Sequence, residues 1–156
     1  MNLRIAPLLA FAFALTGCET LEMKDAKNAR AAMEEAIRNE PPGDYFIGRR
    51  YYKQDYKFWG WVRKPGQPWS TAQLVMMNQQ TKLAPDYEQG KLGSDNNTEY
   101  KLTGELSEKP VYEPASNGFY PEFTLKSYEV RAVSPANIFK VPGATDPARR
   151  VIAHPY

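Results

Sequence analysis

Two adjacent prolines, Pro41 and Pro42, divide this chain into two kinds of sequence, because no regular helix can run through them. Before them, Thr20 to Asn39 is rich in Ala, Glu, Met, Lys and Arg, which are good helix formers, and contains neither Gly nor Pro. Ala26, Ala29, Met33, Ala36 and Ile37 recur at helical spacing, and Glu34 and Arg38 are placed for an i,i+4 pair. The pattern predicts one amphipathic helix with a thin, mostly alanine stripe, suited to a spacer or a loosely docked helix rather than to a partner-binding one.

From Asp44 the chain turns to aromatic and β-branched residues divided by turn signals, and no later segment keeps helical periodicity. Tyr45 to Tyr52, Tyr56 to Arg63 and Ala72 to Asn78 read as strands, with Lys53-Gln54-Asp55 and Lys64-Pro65-Gly66-Gln67-Pro68 as connections. Lys82 to Asn97 reads as a polar, mobile loop. Tyr100, Leu102, Gly104 and Leu106 alternate with polar residues, the clearest half-buried strand. Pro110 to Glu113 predicts an edge piece and Phe119 to Val133 a long final strand whose apolar phase slips near Lys126 and Ser127, which a β-bulge would explain. Ser134 to Tyr156 carries four prolines and reads as an irregular tail, partly packed through Ile138, Phe139 and Val141.

About five short strands with glycines inside two of them, Gly60 and Gly104, predict a small closed β-barrel, the alternative being a β-sandwich. Lys101-Leu102-Thr103-Gly104-Glu105-Leu106 followed by Phe123 to Val130 resembles the closing strands of OB-like barrels. That resemblance covers about a third of the chain and implies a fold, not a functional residue.

At the N-terminus Arg4 precedes the apolar run Ile5 to Leu15, the order of an export signal. As a helix that run reaches roughly 16 Å, about half of the roughly 30 Å of a bilayer's hydrocarbon core, too short for a span. It ends in Leu15-Thr16-Gly17-Cys18, which holds the only cysteine. These four residues resemble the lipobox of bacterial lipoproteins, which implies a signal peptide over 1–17, lipidation (diacylglyceryl and palmitate) at Cys18, and a tether by more than one acyl chain. A soluble secreted protein with a stray thiol is the alternative, and an unpaired exported thiol invites unwanted cross-links. Glu19, not aspartate, follows the cysteine, which favours the outer membrane over the inner. The organisation expected is leader 1–17, lipidated terminus and helix 18–42, β-domain 43–133 and tail 134–156.

The charge is near balance, 20 Lys plus Arg against 18 Asp plus Glu, which with an exported location excludes a nucleic-acid binder. His154 is the only histidine and sits in the tail, so neither a zinc site nor a histidine-based catalyst is expected. Asp95, Asn97 and Glu99 alternate in an oxygen-rich stretch but lack the glycine turn and distal glutamate of a calcium loop. No nucleophile elbow, Ser-x-x-Lys pair, phosphate loop or dinucleotide fingerprint occurs; no cofactor and no enzymatic activity are expected.

The strongest functional cue is the segment from Tyr45 to Trp69. It holds Tyr45, Phe46, Tyr51, Tyr52, Tyr56, Phe58, Trp59, Trp61 and Trp69 among Arg49, Arg50, Lys53, Lys57, Arg63 and Lys64, with Asp55 the sole acid. Strand alternation puts Trp59 and Trp61 on one face and Phe58 on the other, so aromatic groups lie on both faces while a small barrel has one interior. One reading is an exposed platform of Trp59, Trp61, Trp69, Arg49 and Tyr51 for an envelope protein or a glycan such as peptidoglycan. The other is that the rings fill the barrel and the cations decorate its outside. The expected function is a lipid-anchored, non-catalytic binding or scaffold module of the cell envelope, with a glycan-binding lipoprotein as the alternative and an envelope hydrolase a distant third.

Overall fold

The computed structural model describes residues 21–156; the leader and Cys18 lie outside the described residues. Helix α1 spans Leu21–Arg38 and stops short of Pro41. Five strands follow: β1 Phe46–Arg50, β2 Gly60–Arg63, β3 Gln73–Asn78, β4 Glu99–Glu113 and β5 Gly118–Ala132. A one-turn helix, α2 Pro85–Glu88, lies between β3 and β4. The strands close in the order β1-β2-β3-β5-β4, with β4 returning to β1. All neighbours are antiparallel except β3 and β5, which run parallel from Met76 opposite Glu122. The fold is therefore a small OB-like β-barrel preceded by a helix. Among the described residues, no helix is long and apolar enough to cross a membrane.

The phase slip in β5 is a bulge. Thr103 pairs with Ser127 and Gly104 with Leu125, leaving Lys126 as the extra residue. The pieces at 100–106 and 110–113 are one strand, interrupted between Leu106 and Pro110 where the register shifts again. Beyond that shift β4 and β5 continue as a two-stranded arm. Pro110 pairs with Pro121 across it, and prolines suit such an arm because its outer edges have no ladder to donate to.

The barrel has two cores. Inside it, Phe46, Trp59, Val62, Val75, Ala84, Tyr100, Leu102, Phe123 and Leu125 pack together. Gly48 is required there, since a Cβ would stand 2.5 Å from Leu102 and 2.9 Å from the Trp59 ring. Outside the β1–β2–β3 wall a second cluster forms from Ile37, Ile47, Tyr51, Phe58, Trp61, Trp69, Leu74, Ile138, Phe139, Ala144 and Ala153. Its cover comes from the last turns of α1 and from the tail, so the partly packed tail is a structural layer. Of its predicted contacts, Ile138 and Phe139 are buried but Val141 stays exposed.

The tail is held by backbone carbonyls that accept from buried side chains. The Tyr51 hydroxyl donates to the Val151 carbonyl at 2.8 Å and accepts from the Ala153 N–H at 3.1 Å. Lys53 Nζ donates to the carbonyls of Ala144 and Asp146 at 2.6 and 2.7 Å. Burial lowers the Lys53 pKa, with Asp146 pulling the other way. The helix docks at its C-terminal end, where Met33 and Ile37 meet the outer core and Arg30 lies 3.8 Å over the Tyr156 ring.

Candidate functional site

The expected exposed platform is not present. Trp59 and Trp61 are 3 % exposed, Trp69 1 %, Arg49 1 % and Tyr51 0 %. Trp59 points into the barrel, while Trp61, Trp69 and Tyr51 belong to the outer core that the helix and tail cover. Both aromatic faces are buried because the wall has a layer on each side. Most of the cations do not decorate the outside either: Arg49, Arg50, Lys53 and Arg63 are buried, and Lys57 and Lys64 are exposed.

Each buried arginine has partners brought from far along the chain. Arg49 donates to Glu99 at 2.7 Å, to Asn97 Oδ1 at 3.1 Å and to the Ala136 carbonyl at 3.1 Å. Arg63 forms a fork with both Glu40 oxygens at 2.7 and 2.8 Å, and Trp69 lies beneath the two guanidiniums, 5.2 Å from Arg49 and 4.6 Å from Arg63. Glu40 also accepts from Arg131 at 2.8 Å and from the Gly66 N–H at 2.8 Å. Burial would raise the Glu40 pKa, but these donors outweigh it and hold the carboxyl at about 2.

Arg50, the residue after Arg49 on β1, points to the other face of the strand and forms a second hub. It donates to Asp86 at 2.8 Å and to the Trp59 carbonyl, and its Nε lies 3.4 Å from Asp95 Oδ1. Asp86 in turn accepts from the N–H groups of Tyr87 and Gly93 at 3.1 and 2.9 Å, and Asp95 accepts from the Tyr100 hydroxyl at 2.9 Å. Burial raises the Asp95 pKa against the pull of Arg50. The loop expected to be the most mobile is thus pinned from below, with Ala84, Pro85, Asp86 and Asp95 buried. Asp95, Asn97 and Glu99 serve as acceptors for arginine and tyrosine, not as an open oxygen shell. Among the described residues, no three His, Cys, Asp or Glu side chains gather as metal ligands.

Among the described residues, three of the surface concavities have volumes of about 450 Å³ or more. One, of about 660 Å³, lies over Phe46, Val62, Thr103 and Gly104, and its rim charges cancel in pairs, Lys64 with Asp44 and Lys126 with Glu105. A shallow apolar groove of about 450 Å³ runs between Leu74, Tyr120 and Ile152, with His154 against the Trp61 ring at 5.1 Å. The third, about 470 Å³, opens above the Arg50 hub between the β1–β2 loop and the α2 loop, and it combines aromatic walls with unspent polar groups. Tyr52, Tyr56, Phe58 and Trp59 supply one side and Tyr87 and Leu92 the other, with Gln54, Asp55, Lys57 and Gln79 at its edge.

This cleft is built on fixed parts. Tyr56 packs on Phe58 at 5.1 Å, and Phe58 packs on Tyr120 of the arm at 5.8 Å. The Tyr56 hydroxyl donates to the Arg150 carbonyl, and Gly93 lies against the Tyr52 ring so closely that a Cβ there would collide with it. Of the site residues expected from sequence, only Trp59 lines this cleft; Tyr52, Tyr56 and Lys57 come from the same aromatic and basic segment, and Tyr87 and Leu92 from the stretch read as a polar, mobile loop. Their apolar character between Asp86 and Asp95 was the available signal. Compared with protein-family models, curated proteins and solved structures, the chain matches none.

Proposed function

We propose that this chain is a lipid-anchored, non-catalytic binding module of the bacterial cell envelope that holds its ligand or partner at the cleft between the β1–β2 and α2 loops. The observation that carries this reading is the cleft itself: the exposed Tyr87 ring, the half-buried Tyr52 and Tyr56 rings and the polar side chains of Gln54 and Lys57 converge over a buried arginine held by Asp86 and the Trp59 carbonyl. Rigid aromatic surface with polar edges is what recognition uses. Glu40, Lys53 and Asp95, whose pKa values are displaced, are each engaged by structural partners inside the fold, which fits structural roles for these three groups. The anchor rests on Leu15-Thr16-Gly17-Cys18, and the outer membrane is the favoured location.

Fractionation of cells expressing the native chain and a Cys18→Ser form tests the anchor. The native protein goes to the membrane fraction and the variant is unprocessed or soluble. Normal processing and retention of the variant contradict the anchoring. Site-specific photo-crosslinkers at Tyr87 and at Thr103 test the location, with capture expected from the first and not the second.

A further inference from the structure

We infer that the cleft over Arg50 takes the sugar rings of a glycan strand bearing carboxylates; this rests on the cleft being the binding site. A pyranose ring has an apolar C–H face and a hydroxyl-bearing edge, so a site for it needs ring surface beside hydrogen-bonding groups. The cleft has both. Tyr52 and Tyr56 are half-buried, and Tyr87 is 52 % exposed. Gln54, Asp55 and Gln79 stand at the edge of those rings. The Gln79 carbonyl oxygen accepts from the Ala84 N–H at 2.8 Å, which fixes the amide, while its NH₂, the Gln54 side chain and the Tyr87 hydroxyl have no hydrogen-bond partner among the described residues. A volume of about 470 Å³ falls within the range of small-ligand sites, about 300–1,000 Å³.

The charge around the cleft selects among glycans. Arg50 is engaged beneath the cleft by two buried acids, Asp86 and Asp95, and Asp55 at the edge is paired with Arg150 at 2.6 Å. Lys57 is exposed and has no ion-pair partner among the described residues. An exposed, unpaired ammonium beside ring walls can reach a carboxylate on a bound sugar, whereas the acids Asp86 and Asp95 are buried under Arg50. The larger groove offers no comparable preference, because its lysines already face acids.

Purified full-length protein in detergent, titrated with two soluble probes, tests this inference. One probe is an acidic oligosaccharide of alternating N-acetylglucosamine and N-acetylmuramic acid, the other a neutral N-acetylglucosamine oligomer of equal length. The native protein binds the acidic probe more tightly. Tyr87→Ala weakens both by about tenfold, and Lys57→Gln removes the preference for the acidic one. Both substitutions are at exposed side chains, so the melting temperature stays within a few degrees. Absence of binding by either probe, or unchanged affinities in both variants, overturns the glycan inference. If the probes fail while the Tyr87 photo-crosslinker still captures a protein, the glycan inference falls and the cleft reading stands. If the probes fail and capture comes from Thr103 instead, both fall. Retention of the Cys18→Ser form in the membrane counts against the anchor alone.

Discussion

The two faces of the β1–β2–β3 wall are both buried, yet by different means. The inner face is covered by the barrel's own closure, through Tyr100 and Leu102 on β4 and Phe123 and Leu125 on β5. The outer face is covered by appended segments: the end of α1, which precedes the barrel in sequence, and residues 138–153, which follow it. The inner core is therefore a property of the barrel, whereas the outer core exists only while both chain ends stay docked. A segment with rings on each side of a strand can thus be wholly interior, provided the chain carries a second layer.

Removing that second layer should give the largest effect. A chain ending at Val133 loses Ile138, Phe139, Ala144 and Ala153 and uncovers Trp61, Trp69 and Tyr51. Each large apolar group is worth about 1.5–3 kcal/mol and the whole domain about 5–15, so cooperative thermal unfolding should vanish. A truncated chain that melts like the native one would show that the barrel needs no outer cover.

The helix side should give a smaller, divisible effect. A chain starting at Asn39 keeps Glu40 and loses only the docked helix; one starting at Pro42 loses both. The second should be less stable than the first by about 3 kcal/mol, because Arg63 is left buried without its carboxylate. Glu40 also sets a pH window. Its carboxyl ordinarily titrates near 4.5 and sits at about 2 here, so its contribution is complete above 4.5 and is lost as pH falls toward 2. Denaturant unfolding at pH 7 and pH 3 should show the gap between the two chains shrinking at the lower pH, and a constant gap would assign it to something other than this carboxylate.

The smallest effect should come from the arm. Tyr112 and Phe119 pair across it at 5.1 Å with 46 % and 68 % exposure, so replacing either with alanine should change stability by about 0.5 kcal/mol or less. A loss of several kcal/mol by chemical denaturation would mean that the arm's outward face is covered.

Local signals in the sequence carried the elements well. Pro41 and Pro42 end the helix, period-two alternation marks β4, and the slipped phase near Lys126 locates the bulge. Long-range pairing was not legible. Nothing near Arg50 in sequence announces Asp86, and nothing near Arg63 announces Glu40, so buried arginines looked like surface cations. The tail is irregular and packs through Ile138 and Phe139 as read, but the extent of its cover was not legible for a related reason. Proline-rich segments without periodicity can still pack when carbonyls satisfy buried donors, as they do for Lys53 and Tyr51. The candidate site was half visible, since the rings on the β1–β2 loop were identified while the opposing wall read as solvated loop.

Tryptophan fluorescence tests the two-layer account most directly, because the only three tryptophans are Trp59, Trp61 and Trp69, one inside the barrel and two under the outer cover. The native protein should emit at short wavelength and resist quenching by iodide and acrylamide, and the chain ending at Val133 should show a quenchable, red-shifted fraction. Ready quenching of the native protein would contradict the account and restore an exposed aromatic platform on the β1–β2 wall.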